Sequence, residues 1–358
     1  MVKGTIVRNK ELYLHIGGQK TGSTAFQHYV KSNAYLLETQ GTLYLDPGSI
    51  VEGLETSLLW QDIDLEEFGK TLNRRIQDSE LNTFLLSSEL LCHLNVEQLV
   101  SITRHLKDVV ISWIYVHREP SQVLLSHWAD RVTLFGDGLD FADYVPIRIK
   151  SPFIPGRQPL FETVRSGDLD LLVIATKLKG FPGIKNLFTY SPDVVFDLIK
   201  FINPAHEINT EQSHERIHIS PGIATTYLCI EYLGLAFRLL GARLPYKAFI
   251  GASRLIRDVL SPFDLSVKTS QINVKSSLLQ DYPFLVPDLS RLRKEFNWNL
   301  LSSQYIRKDE SDRERSNVDY RNLKNTFTKE IGELRGKINE QELIELAIAE
   351  LRPYATDN

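Results

Sequence analysis

Apolar residues in the first third of the chain fall into short runs separated by segments of helical period. The run Leu12, Tyr13, Leu14, His15 and Ile16 stops at Gly17 and Gly18, which is the signature of a strand closed by a turn. Phe26, Tyr29, Val30, Tyr35, Leu36 and Leu37 then predict a helix over residues 25–40, with Gly41 as its stop. A short strand is expected at 42–45, a helix at 65–76 and a strand at 83–87. Residues 99–107 read as a helix, and 109–116 as the most β-branched strand of the chain, ending at His117 and Arg118. Such alternation predicts an α/β fold with a parallel sheet flanked by helices, whose ligands bind beyond the carboxyl ends of the strands.

Beyond residue 150 the pattern changes. The segment 151–159, SPFIPGRQP, is proline-punctuated and is expected to form a loop over that crevice. Further strands are expected at 169–175 and 186–190. A helix follows over 193–202, started by Ser191-Pro192-Asp193. Residues 205–219 are polar and irregular, and 221–260 mainly helical. Within the latter, Glu231 and Arg238 mark the apolar stretch 222–241 as a buried amphipathic helix and not a membrane span. Residues 306–316 are nearly all charged or polar and read as a linker. After it Leu323, Phe327, Ile331, Leu334, Ile338, Ile344, Ile348 and Leu351 recur near helical spacing. Gln341 and Glu345 break a heptad, which favours a helix packed on its own domain over a coiled coil. The domain reading is therefore 1–305, with a mainly helical portion over about 221–305, and a C-terminal helical appendage over 306–358.

Composition narrows the function classes. With 358 residues and 42% hydrophobic content, the chain buries a sizeable core. A net charge of −4 and a pI near 6.2 give no basic footprint for nucleic acid. The two cysteines, Cys92 and Cys229, have no CxxC spacing, so neither a disulfide framework nor a zinc site is expected, and no metal is called for. The residues ahead of the first strand lack an apolar signal core, and the expected location is the cytoplasm.

The chemistry concentrates where the first strand ends. Gly22, Ser23 and Thr24 would present backbone N–H groups at a helix N-terminus, which binds an oxyanion, and Lys20 adds a full charge beside them. Gly17 and Gly22 have the separation of the ATP-binding motif GxxxxGK[ST], which would make the sheet P-loop-like. The lysine, however, stands two residues before the second glycine instead of one after it. The order Lys20-Thr21-Gly22-Ser23-Thr24 after the strand LHIG resembles the 5′-phosphosulfate loop of sulfotransferases that use 3′-phosphoadenosine-5′-phosphosulfate (PAPS). A second motif follows in family order. Arg118, Pro120, and Ser126 eight positions after the arginine, are similar to the family's 3′-phosphate segment. The segment 287–300, PDLSRLRKEFNWNL, is similar to the closing helix of bacterial carbohydrate-type members.

This resemblance implies that Lys20, Thr21, Gly22, Ser23, Thr24 and Ala25 hold the 5′-phosphosulfate, and that Arg118 and Ser126 hold the 3′-phosphate. It implies a hydroxyl acceptor, a saccharide or a glycolipid, with Lys20 assisting the leaving group. Glu89, a charged residue ending the strand in FLLSSELL, is the candidate base, with His93, His117 and His127 as rivals. Tyr29, Trp60, Trp113 and Trp128 are large enough to stack on sugars but read as core. Two other functions stay open. One is a P-loop-type kinase of a small metabolite. The other is a non-catalytic nucleotide-binding or assembly protein that forms a homo-oligomer through its C-terminal helix.

Overall fold

Alternation along β1 (Lys10–His15) sends Leu12 and Leu14 to one face of the sheet and Tyr13 to the other. The computed structural model containing this strand describes residues 9–18, 21–50, 64–88, 91–92, 94–136, 138–150, 169, 171–191, 193–207, 221–240, 244, 246–268, 271–286, 288–301 and 316–355. The expected loop at 151–159, Trp60, and most of the polar stretches 205–219 and 306–316 lie outside them.

After β1 come α1 (Ser23–Ser32), α2 (Ala34–Thr39), β2 (Thr42–Tyr44), α3 (Leu65–Asp78), β3 (Thr83–Ser87), α4 (Val96–Thr103) and β4 (Val109–His117). Later in the chain the same unit takes in α5 (Leu171–Leu178), β5 (Ile184–Thr189), α6 (Val194–Ile202), α7 (Leu289–Phe296) and β6 (Trp298–Leu301). Among the described residues the six strands form one all-parallel sheet in the order β2-β3-β1-β4-β5-β6. One face carries Leu12, Leu14, Phe84, Leu86, Ile111 and Trp113 against α3, α4 and α5; the other carries Leu85, Ile114, Val116 and Phe188 against α1 and α6. The fold is α/β, a parallel sheet flanked by helices, with a helical C-terminal region.

Several boundaries differ from the sequence pattern. The helix expected over 25–40 starts at Ser23 and breaks at Asn33, whose side-chain amide donates to the Tyr29 carbonyl at 2.9 Å and closes the first helix. The helix expected at 99–107 runs over Val96–Thr103, because Asn95 and Gln98 form a capping box at its start. Residues 169–175, expected as a strand, belong mainly to helix α5. Leu171, Ile174, Ala175 and Leu178 are buried at a three- and four-residue spacing that only a helix puts on one face. The single C-terminal helix is three: Leu323–Thr326, Thr328–Arg335 and Glu340–Leu351. Asn339 starts the last one by accepting from the Glu342 N–H, which turns Leu343, Ala347 and Leu351 inward in place of Ile344 and Ile348.

By its contacts the chain divides into two units, each assembled from several segments. The first is Met1–Glu119, Leu160–Ile217 and Pro287–Ser311; the second is Pro120–Pro159, His218–Val286 and Asp312–Asn358. In the second unit, helices Pro120–Phe135, Ile223–Leu240 and Tyr246–Leu260 pack together, and Glu340–Leu351 packs on the latter two. Helix Ile223–Leu240 is long and apolar enough to cross a membrane, yet 56% of it is buried in this structure. Arg335 donates to both oxygens of Glu231 at 2.6–2.7 Å, and the Tyr232 hydroxyl donates to Glu340 at 3.0 Å, tying the C-terminal helices to it.

Candidate functional site

The strand order fixes where a ligand site belongs in the first unit. From β1 the chain leaves toward β2, whereas beyond β4 the sheet continues through β5 to β6. β1 and β4 are hydrogen-bonded neighbours from Lys10↔Val109 to His15↔Ile114. The segments leaving their carboxyl ends therefore flank the topological switch point, the usual crevice of such sheets.

At the end of β1 the backbone turns at Gly17, with φ +37, and again at Gly22, with φ +85. Both lie in the left-handed region that glycine enters without strain. Gly22 precedes α1 and offers no side chain as a cap, and the first intrahelical bond runs from the Phe26 N–H to the Gly22 carbonyl at 2.9 Å. Helix geometry thus leaves the N–H groups of Ser23, Thr24 and Ala25 without intrahelical acceptors. The Thr21 and Ser23 hydroxyls turn inward and both donate to the Gly18 carbonyl, at 2.6 and 3.2 Å. The two hydroxyl oxygens are 3.3 Å apart. These bonds fold the loop back on itself and hold the helix N-terminus in place.

Beneath the loop lies His15, fully buried, its Nδ1 2.8 Å from Ser87 Oγ on β3. The Ser88 N–H donates to the His15 carbonyl at 3.0 Å, tying the ends of β1 and β3 together. Among the described residues, the buried His15 Nε2 has no hydrogen-bond partner. Burial pushes its pKa down to about 3, so the imidazole is neutral.

On the other side of the loop, Arg118 follows β4, and its guanidinium stacks on the Tyr190 ring, 4.6 Å from the centroid. Tyr190 is anchored by its own N–H, which donates to the His117 carbonyl at 2.7 Å. The same ring lies 3.6 Å from the point a Cβ on Gly22 would occupy. Tyr190 therefore touches both the N-terminus of α1 and the arginine, which links the two sequence motifs in space.

The other expected residues fall in several places. Lys20, Glu89 and His93 lie outside the described residues. Thr24 is exposed and Ala25 half-buried at the helix start. Ser126 is on helix Pro120–Phe135 in the second unit, as is His127, whereas His117 ends β4 in the first; both histidines are buried. Tyr29, Trp113 and Trp128 are core residues. No family profile, curated protein or solved structure matches the chain. Among the described residues no cluster of histidine, cysteine, aspartate or glutamate could hold a metal ion.

The arrangement suits an oxyanion: a helix N-terminus whose first donors lack intrahelical acceptors, two glycines that let the backbone turn sharply into it, and a cation across the switch point. Sequence reasoning missed His15, Ser87 and Tyr190. The first two look like ordinary members of apolar strands, and their signal is pairing across strands. Tyr190 ends a strand as Arg118 does, but as an aromatic it reads as core.

Proposed function

We propose that the protein is a sulfotransferase that moves a sulfuryl group from PAPS to a hydroxyl of a saccharide or glycolipid. The observation that carries this reading is the loop from Gly17 to Thr24, a helix N-terminus with inward-turned hydroxyls, linked through Tyr190 to Arg118. The order Lys20-Thr21-Gly22-Ser23-Thr24, with the lysine ahead of the glycine, supports a sulfuryl donor over ATP by its resemblance to the sulfotransferase loop.

The donor supplies an activated sulfuryl group whose bond to the phosphate oxygen breaks as the bond to the acceptor oxygen forms. The chain's own residues position and neutralise. The N–H groups of Ser23, Thr24 and Ala25 hold the phosphosulfate end. Arg118 holds the 3′-phosphate. Lys20 balances charge on the leaving oxygen, and Glu89 takes the proton from the acceptor hydroxyl.

A thermal-shift comparison tests the reading. 3′-Phosphoadenosine-5′-phosphate should stabilise the protein by about 2.7 kcal/mol at a hundred times its Kd, and ATP with magnesium should not. Stabilisation by ATP and magnesium alone would favour the kinase. Replacing Arg118 by Ala should weaken the 3′-phosphorylated nucleotide by about 10- to 100-fold, the worth of a charge-assisted hydrogen bond. Unchanged affinity on calorimetric titration would remove Arg118 from the donor site.

A further inference from the structure

We infer that His15 is a positioning residue for the anion-binding loop, its Nε2–H donating to the Ser23 hydroxyl oxygen when an oxyanion enters. This rests on reading the loop as an anion cradle, and adds a residue that the sulfotransferase resemblance does not supply.

The geometry starts from Gly17. A Cβ there would lie 2.6 Å from Ser23 Oγ and 3.2 Å from both Cε1 and Nε2 of His15. Both polar atoms thus lie within contact distance of the one position that glycine, lacking a Cβ, does not fill. His15 itself cannot slide away. Its backbone pairs with Ser87 on one side and Ile114 on the other, and its ring packs edge-on against Phe26 of α1, with centroids 5.1 Å apart. Nδ1 is taken by Ser87 Oγ at 2.8 Å, whereas Nε2 is fully buried and without a partner among the described residues. A buried polar atom left unpaired costs free energy, and this one faces the loop.

We take the Ser87 hydroxyl as the donor to Nδ1, which puts the ring proton on Nε2, facing the loop. The Ser23 hydroxyl now donates to the Gly18 carbonyl at 3.2 Å, a long bond that a bound oxyanion outcompetes. As that proton turns to the anion, a lone pair of the Ser23 oxygen turns toward His15 and accepts from Nε2–H. The result is a chain from Ser87 through His15 and Ser23 to the anion, in which each bond polarises the next. No proton is transferred, and the ring stays neutral.

The experiment uses the full chain, with pyrophosphate and 3′-phosphoadenosine-5′-phosphate as probes in titration calorimetry. His15→Asn keeps an amide near the Nδ1 position but loses Nε2; His15→Gln carries the amide out to Nε2. The expected result is affinity weakened on the order of tenfold in His15→Asn and largely restored in His15→Gln. In a Ser23→Ala background the His15→Asn effect should vanish, because the two residues act through one bond. Wild-type affinity in His15→Asn, equal loss in both variants, or full additivity with Ser23→Ala would overturn the assignment of His15. Failure of the unsubstituted protein to bind either probe would instead overturn the anion cradle itself. Should the variants not fold, the imidazole nitrogen resonances of the unsubstituted protein decide. Nε2 must be the protonated nitrogen and its resonance must move on addition of the nucleotide; an unprotonated or unmoved Nε2 overturns the proposal.

Discussion

Turnover of a Glu89→Gln variant is expected to fall by about 10²- to 10⁴-fold, the usual contribution of a positioned proton acceptor. Affinity for 3′-phosphoadenosine-5′-phosphate should stay at the wild-type value. The substitution keeps size and removes only the ability to accept a proton. The expectation has a structural footing one residue away. Ser87 pairs with His15 across the β1–β3 ladder, and the Ser88 N–H donates to the His15 carbonyl at 3.0 Å. The chain as far as Ser88 is thus tied to the strand that leads into the proposed anion-binding loop. Transfer of a labelled sulfuryl group from PAPS to a panel of saccharides and glycolipids, with donor binding followed separately, measures both quantities. Full turnover would exclude Glu89 as the base. Loss of turnover together with donor binding would make it a residue of the donor site.

The second large effect is on stability. Gly183 precedes β5 with φ +96, and a Cβ there would overlap the Ile111 carbonyl oxygen on β4. Neither strand can yield easily. Ser112 pairs with Ile184 directly beside the glycine, and the Trp113 indole N–H donates to the Pro182 carbonyl at 2.9 Å. Gly183→Ala therefore combines left-handed strain with a backbone clash and should destabilise the first unit by about 3 kcal/mol. For a unit of this size that is a fall of about 6–12 °C in Tm. Gly41→Ala is the control. It has a similar φ, +91, with nothing within 4 Å of the added carbon, so it should show only the strain, about 1 kcal/mol. Equal Tm values for the two variants would mean that β4 and β5 tolerate a wider approach. The other end of β5 leads to Tyr190, so the same clash should also weaken nucleotide binding.

The fold was legible because its signals are local. Short β-branched runs and helical spacing identified β3 at its observed ends, β4 within one residue and β1 within two. Where the reading failed, a tertiary partner overrode the local pattern. Residues 169–175 are apolar enough for either element, and burial of Leu171, Ile174, Ala175 and Leu178 against the sheet decided for the helix. The C-terminal apolar residues suggested one helix. The breaks at Phe327 and Asn339 follow from capping and turn geometry, which hydrophobic spacing does not encode.

The candidate site divides along the same line. The sequence by itself determined the turn proposed to bind an anion. Glycines at positions 17 and 22, small residues through Ala25 and a lysine at position 20 sit within one strand–loop–helix segment, and their spacing is sufficient to read an oxyanion there. Only the tertiary structure decided what surrounds the turn. It set Arg118 against Tyr190 and Tyr190 beside Gly22, and it buried His15 against Ser87 with one nitrogen facing the loop. Those partners come from different strands, 72 residues apart for His15 and Ser87. Their meeting depends on the register of a parallel sheet, and a register is set by which apolar faces can be buried together, a property of the packed chain and not of any one segment.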